Sequence, residues 1–177
     1  MARSRTDDLL LGEWACLAIL VHGRAHGYDV SLQLAKGSSI GRVWTLSRPL
    51  TYRSLDQLTQ RGLITPVREE RGRAGGNRTI LAPTTQGRAR LRRWLRQPVE
   101  HLRDVRSELL VKLILCELVG ADSRPLLEAQ RALFAPMAAG LTTSPAETVV
   151  DPVAAWRDES SRAVLRFLDR MLASPPQ

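Results

Sequence analysis

Apolar residues recur at helical spacing from the first described turn of the pattern. Leu10, Trp14, Leu17, Ala18 and Val21 share one stripe, with Asp7 or Asp8 placed to cap it and Gly23 to stop it. A second short helix is expected over Gly27 to Lys36, where Tyr28, Val30, Leu34 and Ala35 are apolar and Gly37 stands just past the end. The stretch from Ser38 to Leu46 reads as a loop. Ser47 then caps a third helix running to about Arg61, with Pro49 in its first turn, Leu55 and Leu58 on its inner face and Gly62 closing it. Two extended runs follow, Ile64 to Glu70 and Arg78 to Ala82, separated by the turn-rich segment Arg71-Gly72-Arg73-Ala74-Gly75-Gly76-Asn77. Thr84 caps a fourth helix over Thr85 to Gln97, which Pro98 ends.

Beyond a short link the pattern changes. The run from Leu109 to Val119 is apolar on nearly every side, which predicts a central, buried helix. Another helix starts near Ser123 with Pro125 in its first turn and carries Leu126, Leu133, Phe134 and Met137. Residues 140–150 read as a loop. The last helix, Pro152 to about Leu172, places Val153, Trp156, Ser160, Ala163, Phe167 and Met171 on one stripe, with Val164, Leu168 and Leu172 alongside.

Helix, helix, helix, strand, strand, helix is the order of a winged helix-turn-helix. The expected fold is therefore mainly α with a small β-hairpin. An N-terminal winged helix-turn-helix occupies residues 1–98, and a helical dimerisation domain, with an effector-sensing role open to it, occupies 99–177.

Charge sharpens this picture. Of the 177 residues, the first 106 hold 19 Lys+Arg against 9 Asp+Glu, a balance of +10, while the remainder stands at −2. A basic half joined to a near-neutral half predicts a polyanion handled by the first half alone. The third helix offers Arg48, Thr51, Tyr52, Arg53, Gln57, Gln60 and Arg61 off its Leu55/Leu58 face, all suited to phosphates or base edges. The hairpin tip adds Arg71, Arg73, Asn77 and Arg78 within one turn. A helix with side chains fits the major groove, and a guanidinium-rich loop follows a backbone or enters a narrow minor groove. Double-stranded DNA is the expected partner.

The order and spacing of several short motifs resemble the PadR family of bacterial transcription regulators over nearly the whole chain. These are Leu10-Leu11-Gly12, His26-Gly27-Tyr28-Asp29-Val30, Ser47 with Tyr52, Leu55 and Leu58 leading to Gly62-Leu63-Ile64, and Thr84-x-x-Gly87-Arg88 with Trp94-Leu95. Glu108 to Leu113, and Trp156-Arg157 through Phe167-Leu168, resemble the longer-tailed branch. The resemblance implies a cytoplasmic dimer held by its C-terminal helices, usually a repressor, released by a small molecule in some members. Thr51, Pro49 and Pro83 depart from the usual Leu, Gly and apolar residue at those positions, so base preference is not carried over.

The apolar excess of the C-terminal part points the same way. Leu110, Leu113, Val153, Trp156, Val164, Phe167 and Met171 are the expected homodimer seam, buried around a two-fold axis. Trp94 and Trp156 are the aromatics able to stack on a small planar apolar effector.

Other classes fare worse. No apolar run is long enough to cross a bilayer, and the N-terminus suits an amphipathic helix better than a signal peptide. Cys16 and Cys116 sit in apolar helical patterns and read as buried thiols. His22 and His26 are four apart, a metal spacing on a continuous helix, but Gly23 and Gly27 break that helix and no Cys or carboxylate completes a set. No metal, cofactor or catalytic residue is expected: the Gly72–Gly76 loop lacks the Lys of a P-loop, and neither GxSxG nor HExxH occurs. The competing reading is a helical interaction module whose winged fold meets an acidic protein rather than nucleic acid.

Overall fold

The computed structural model describes residues 9–71, 77–139 and 151–174. In chain order its elements are α1 (Leu11–His22), β1 (Ala25–His26), α2 (Gly27–Gln33), α3 (Arg48–Gln60), β2 (Ile64–Arg71), β3 (Asn77–Pro83) and α4 (Thr85–Leu95). There follow α5 (Leu102–Asp104), a π-helical turn (Val105–Leu109), α6 (Leu110–Val119), α7 (Arg124–Ala139) and α8 (Pro152–Ala173). The fold is mainly α with one small antiparallel sheet, and α1 to α3 followed by the β2–β3 hairpin form a winged helix-turn-helix.

Packing divides the chain into two units, residues 1–95 with 110–121, and 96–109 with 122–177. The division expected after residue 98 follows chain order, whereas packing places α6 in the first unit.

At the centre of the first unit lies α1. The spacing predicts a one-sided helix, but everything from Gly12 to Leu20 is buried, because α3, α4, α6 and β3 all pack on it. Its small residues Gly12, Ala15, Cys16 and Ala18 leave room for that many neighbours. Asp7 and Asp8, the expected caps, lie outside the described residues. Within them, Glu13 reaches back and accepts the Leu10 N–H at 2.8 Å. Helix α6 is central as expected, though not evenly enclosed: Val111, Lys112, Leu115 and Cys116 are buried, while Leu110, Leu113 and Ile114 are half-buried.

Ser47 holds the cap position of α3 with extended backbone, yet its hydroxyl makes no cap bond, and Pro49 in the first turn does the local work of starting the helix. The end comes at Gly62, φ +66°, where the Leu63 N–H returns to the Leu58 carbonyl at 2.9 Å. Thr84 ties this turn to α4. Its hydroxyl donates to the Gly62 carbonyl at 2.8 Å and accepts the Gly87 N–H at 3.1 Å, while its own N–H reaches the Leu63 carbonyl at 3.0 Å. A side chain at Gly87 would place Cβ 2.1 Å from the Leu63 oxygen, so the Thr84-x-x-Gly87 motif is a backbone clamp between the wing and α4.

The sheet has three strands in the order β1-β3-β2, one more than the sequence predicts. Ala25 and His26 pair with Leu81 and Ile80. Strand β2 pairs with β3 from Ile64↔Pro83 to Arg71↔Asn77, with a bulge between Pro66 and Arg68.

Trp14 and Trp94 stack 4.6 Å apart at 8°, and the Lys112 ammonium sits 4.7 Å from the Trp94 ring centre. Lys112 is 1% exposed. A cation so deeply buried needs compensation for lost hydration, and the π face supplies part of it. Trp94 is therefore core, and the expectation that it offers a face to an effector is corrected: Trp14 and Lys112 already occupy its surroundings. The two cysteines are buried free thiols.

In the second unit α7 packs against α8. Gln130 is fully buried and copies a strand partner, its amide donating to the Val99 carbonyl at 2.9 Å and accepting the Val99 N–H at 2.7 Å. Arg131 pairs with Asp169 at 2.5 Å, and Arg124 donates to the Leu172 carbonyl at 2.9 Å. Phe134, Leu126, Leu127 and Leu168 supply the apolar interior.

Burial, and secondarily the negative charge of Glu13, push the Cys16 thiol from 9.0 up to about 12. A thiol the fold keeps protonated contributes its full stability below pH 9, and that contribution fades as pH climbs toward 12. Thermal unfolding midpoints of the wild type should therefore fall faster than those of Cys16→Ala across that window. Parallel curves would show that Cys16 is not held as a buried thiol.

Candidate nucleic-acid interface

Helix α3 turns Thr51, Ser54, Leu55 and Leu58 inward, a set spaced three and four apart that seats it on α1 and α2. Of the expected contact residues, Arg48, Tyr52 and Arg53 are exposed, and Gln57 and Arg61 are half-buried at the margin. Gln60 is exposed with them.

Thr51 is not among them. It is fully buried and its hydroxyl donates to the Ser47 carbonyl at 3.1 Å. The physical reason is rotational: a helix that buries Leu55 and Leu58 also buries the residue four positions before Leu55. The same rotation brings Asp56 to the middle of the outer face, exposed between Arg53 and Gln60. The sequence reading passed over it, although the Leu55/Leu58 spacing places it outward as surely as Arg53.

Behind this face, α2 and α3 approach closely. A Cβ at Gly27 would lie 2.7 Å from the Tyr52 ring and 3.2 Å from Leu55. Gly27 thus sets where the Tyr52 ring rests. Arg48, in the first turn of α3, places its guanidinium 4.8 Å from the centre of the Tyr28 ring.

The wing contributes Arg78, exposed on β3, with a guanidinium nitrogen 3.2 Å from His26 Nε2. Arg73 lies outside the described residues, and of Arg71 and Asn77 only the backbone, paired at the hairpin end, is described. Arg68 and Glu70 form an ion pair on β2. The helix carrying His22 stops there, capped by Gly23, and His26 turns instead to Asp29, 2.9 Å away.

No family model matches the chain, and no curated protein matches it. Solved structures do. Bacillus subtilis PadR in complex with operator DNA shares 19% identity, with 91% of this chain and 97% of that one covered and a TM-score of 0.47. The smu.1604c protein from Streptococcus mutans UA159 shares 18%, with 93% and 100% covered and a TM-score of 0.44. The PadR-like transcriptional regulator BC1756 from Bacillus cereus shares 18%, with 96% and 98% covered and a TM-score of 0.42. The chain is similar to PadR-like regulators. At these identities and scores the likeness decides nothing about function, which has to come from the surface itself.

The two glycines that let elements approach should respond differently to alanine. Gly87→Ala meets a carbonyl that cannot move and should cost about 1–3 kcal/mol in chemical denaturation, the usual range for overpacking. Gly27→Ala meets side chains only, the rim of the exposed Tyr52 ring at 2.7 Å and the end of Leu55 at 3.2 Å, and should cost less, while shifting Tyr52. Equal losses would show that Tyr52 is as fixed as the backbone.

Proposed function

We propose that this chain is a transcription regulator that binds duplex DNA in a sequence-specific manner, as a homodimer on an inverted-repeat operator, and acts as a repressor. The observation that carries the reading is one surface: an exposed α3 face presenting Arg48, Tyr52, Arg53 and Gln57, beside a wing that presents Arg78. A helix of this kind lies in the major groove, where Arg and Gln pair with base edges while the wing cations meet phosphates. Asp56 adds discrimination. A carboxylate is repelled by phosphates and gains only where a base edge offers an amino group, such as cytosine N4.

Symmetry comes from α8. Of its 22 residues only Ser161 and Leu168 are fully buried, and Trp156 is 73% exposed. Val153 and Met171 are also exposed, while Val164 and Phe167 are half-buried. Positions 153, 156, 160, 163 and 167 alternate three and four apart, the spacing of a helix–helix seam. A second copy laid along that stripe buries the same residues on both partners. Leu110 and Leu113, half-buried on α6 in the first unit, are proposed as homodimer contacts of that unit. With Trp94 in the core, a small planar apolar effector is left Trp156 as its stacking surface. No helix among the described residues is long and apolar enough to cross a membrane; a DNA ligand places the protein in the cytoplasm.

The interface is tested with a duplex selected from a random pool by the wild-type chain. Arg53→Ala or Gln57→Ala should cost about 1–3 kcal/mol on that duplex and relax its sequence preference. Asp56→Asn should instead raise affinity for random duplex. A wild type whose binding is insensitive to salt has no phosphate contacts, and the acidic-protein reading would replace this one.

Assembly has its own test. Phe167→Asp should yield monomers by light scattering and lose operator binding while the first unit keeps its cooperative melt. A variant that stays dimeric and binds normally would show that the seam lies elsewhere.

A further inference from the structure

His26 closes β1 and opens α2, and four side chains meet around it. Its Nδ1 accepts the Asp29 N–H at 3.4 Å, which caps α2. Its Nε2 lies 2.9 Å from the Asp29 carboxylate and 3.2 Å from the Arg78 guanidinium. The Tyr28 ring is 6.1 Å from the imidazole at 21°, and Arg48 sits over that ring. One continuous row of contacts therefore runs from the wing, through the β1–α2 corner, to the first residue of α3.

We propose that the His26–Tyr28 corner is a positioning device that holds Arg78 on the wing and Arg48 on the helix at a set separation, so that both reach the duplex in one register. It rests on the DNA-binding reading and adds to it two positioning residues that contact no base.

The chemistry of the imidazole suits the task. Nε2 cannot donate to a carboxylate and accept from a guanidinium at once. With its proton on Nε2, His26 donates to Asp29 and its Nδ1 is free to cap α2. With the proton on Nδ1, it accepts from Arg78 and gives up the cap. When Arg78 passes to a phosphate, the Nε2–H tautomer leaves no atom of the corner without a partner: Nε2 donates to the Asp29 carboxylate and Nδ1 accepts the Asp29 N–H. Arg48 is held differently. Tyr28 is 38% exposed, so its ring is a platform at the surface, and a guanidinium resting on it loses less freedom on binding than one swinging in water.

The test is a pair of double-mutant cycles read by fluorescence anisotropy, on the wild-type-selected duplex and on a random duplex of equal length. In the first cycle Tyr28→Leu and Arg48→Ala should each weaken selected-duplex binding about tenfold and the double variant little more, the mark of coupled residues. Tyr28→Phe, which keeps the ring, should recover most of the loss. In the second cycle His26→Asn keeps a capping side chain but is too short to hold Arg78, and it should couple to Arg78→Ala in the same way. All variants should keep the wild-type melting temperature. Tyr28→Leu, Tyr28→Phe and His26→Asn, which remove no duplex contact, should keep nearly the wild-type affinity for random duplex, while Arg48→Ala and Arg78→Ala weaken it through their lost phosphate contacts. Multiplicative losses in both cycles, or a Tyr28→Phe as weak as Tyr28→Leu, would overturn the positioning role while leaving the DNA-binding reading intact. A wild type that binds neither duplex would remove that reading and the corner's role with it. Should Tyr28→Leu melt early, the His26→Asn cycle alone decides.

Discussion

Burial of α1 on every side is the constraint from which the rest of the first unit follows. A helix can be surrounded only if its own side chains are small enough for its neighbours to come close, and Gly12, Ala15, Cys16 and Ala18 provide that. Once α3, α4, α6 and β3 are committed to α1, each has one face spent. For α3 this fixes its rotation: Leu55 and Leu58 go in, Thr51 goes with them, and Arg53, Asp56 and Gln60 have nowhere to point but outward. The proposed reading face is thus a by-product of core packing. Changing the core changes which residues a duplex would meet.

The aromatic stack shows how the same packing sorts residues that look alike in sequence. Trp94 and Trp156 are both flat, large and near the ends of amphipathic helices. One is enclosed by Trp14 and Lys112; the other is largely bare. Composition and spacing alone do not separate them, since burial of α4 depends on α6, which arrives from later in the chain.

Much of the fold was legible in the sequence because its signals are local. Pro49 and Gly62 bracket α3, Thr84 with Gly87 marks the start of α4, and the Gly-rich tip marks a hairpin. What was not legible depends on distant partners or on lengths too short to carry a pattern. The two-residue β1 has no periodicity of its own and exists because Ile80 and Leu81 receive it. The π turn before α6, and the placing of α6 beside α1, are likewise settled by tertiary contacts. In the candidate interface the donors Arg48, Tyr52 and Arg53 were readable from chemistry. Thr51 was misplaced and Asp56 missed because residue type was given more weight than helical phase. His26 and Tyr28 were readable only as part of the His26-Gly27-Tyr28-Asp29-Val30 motif, not as neighbours of the contact residues; only the fold brings them between Arg48 and Arg78.

The outer strand of the sheet has a bearing on what the wing can attract. Strand β2 has β3 on one side only, and an open strand edge is a template on which another polypeptide can extend the ladder. Here Pro66 removes a donor, the bulge beside it breaks the regular repeat, and Arg68, Glu69 and Glu70 load the remainder with charge. Such an edge repels strand addition. The wing can therefore be long without becoming adhesive, and the pairing proposed for α8 meets no competition from strand addition.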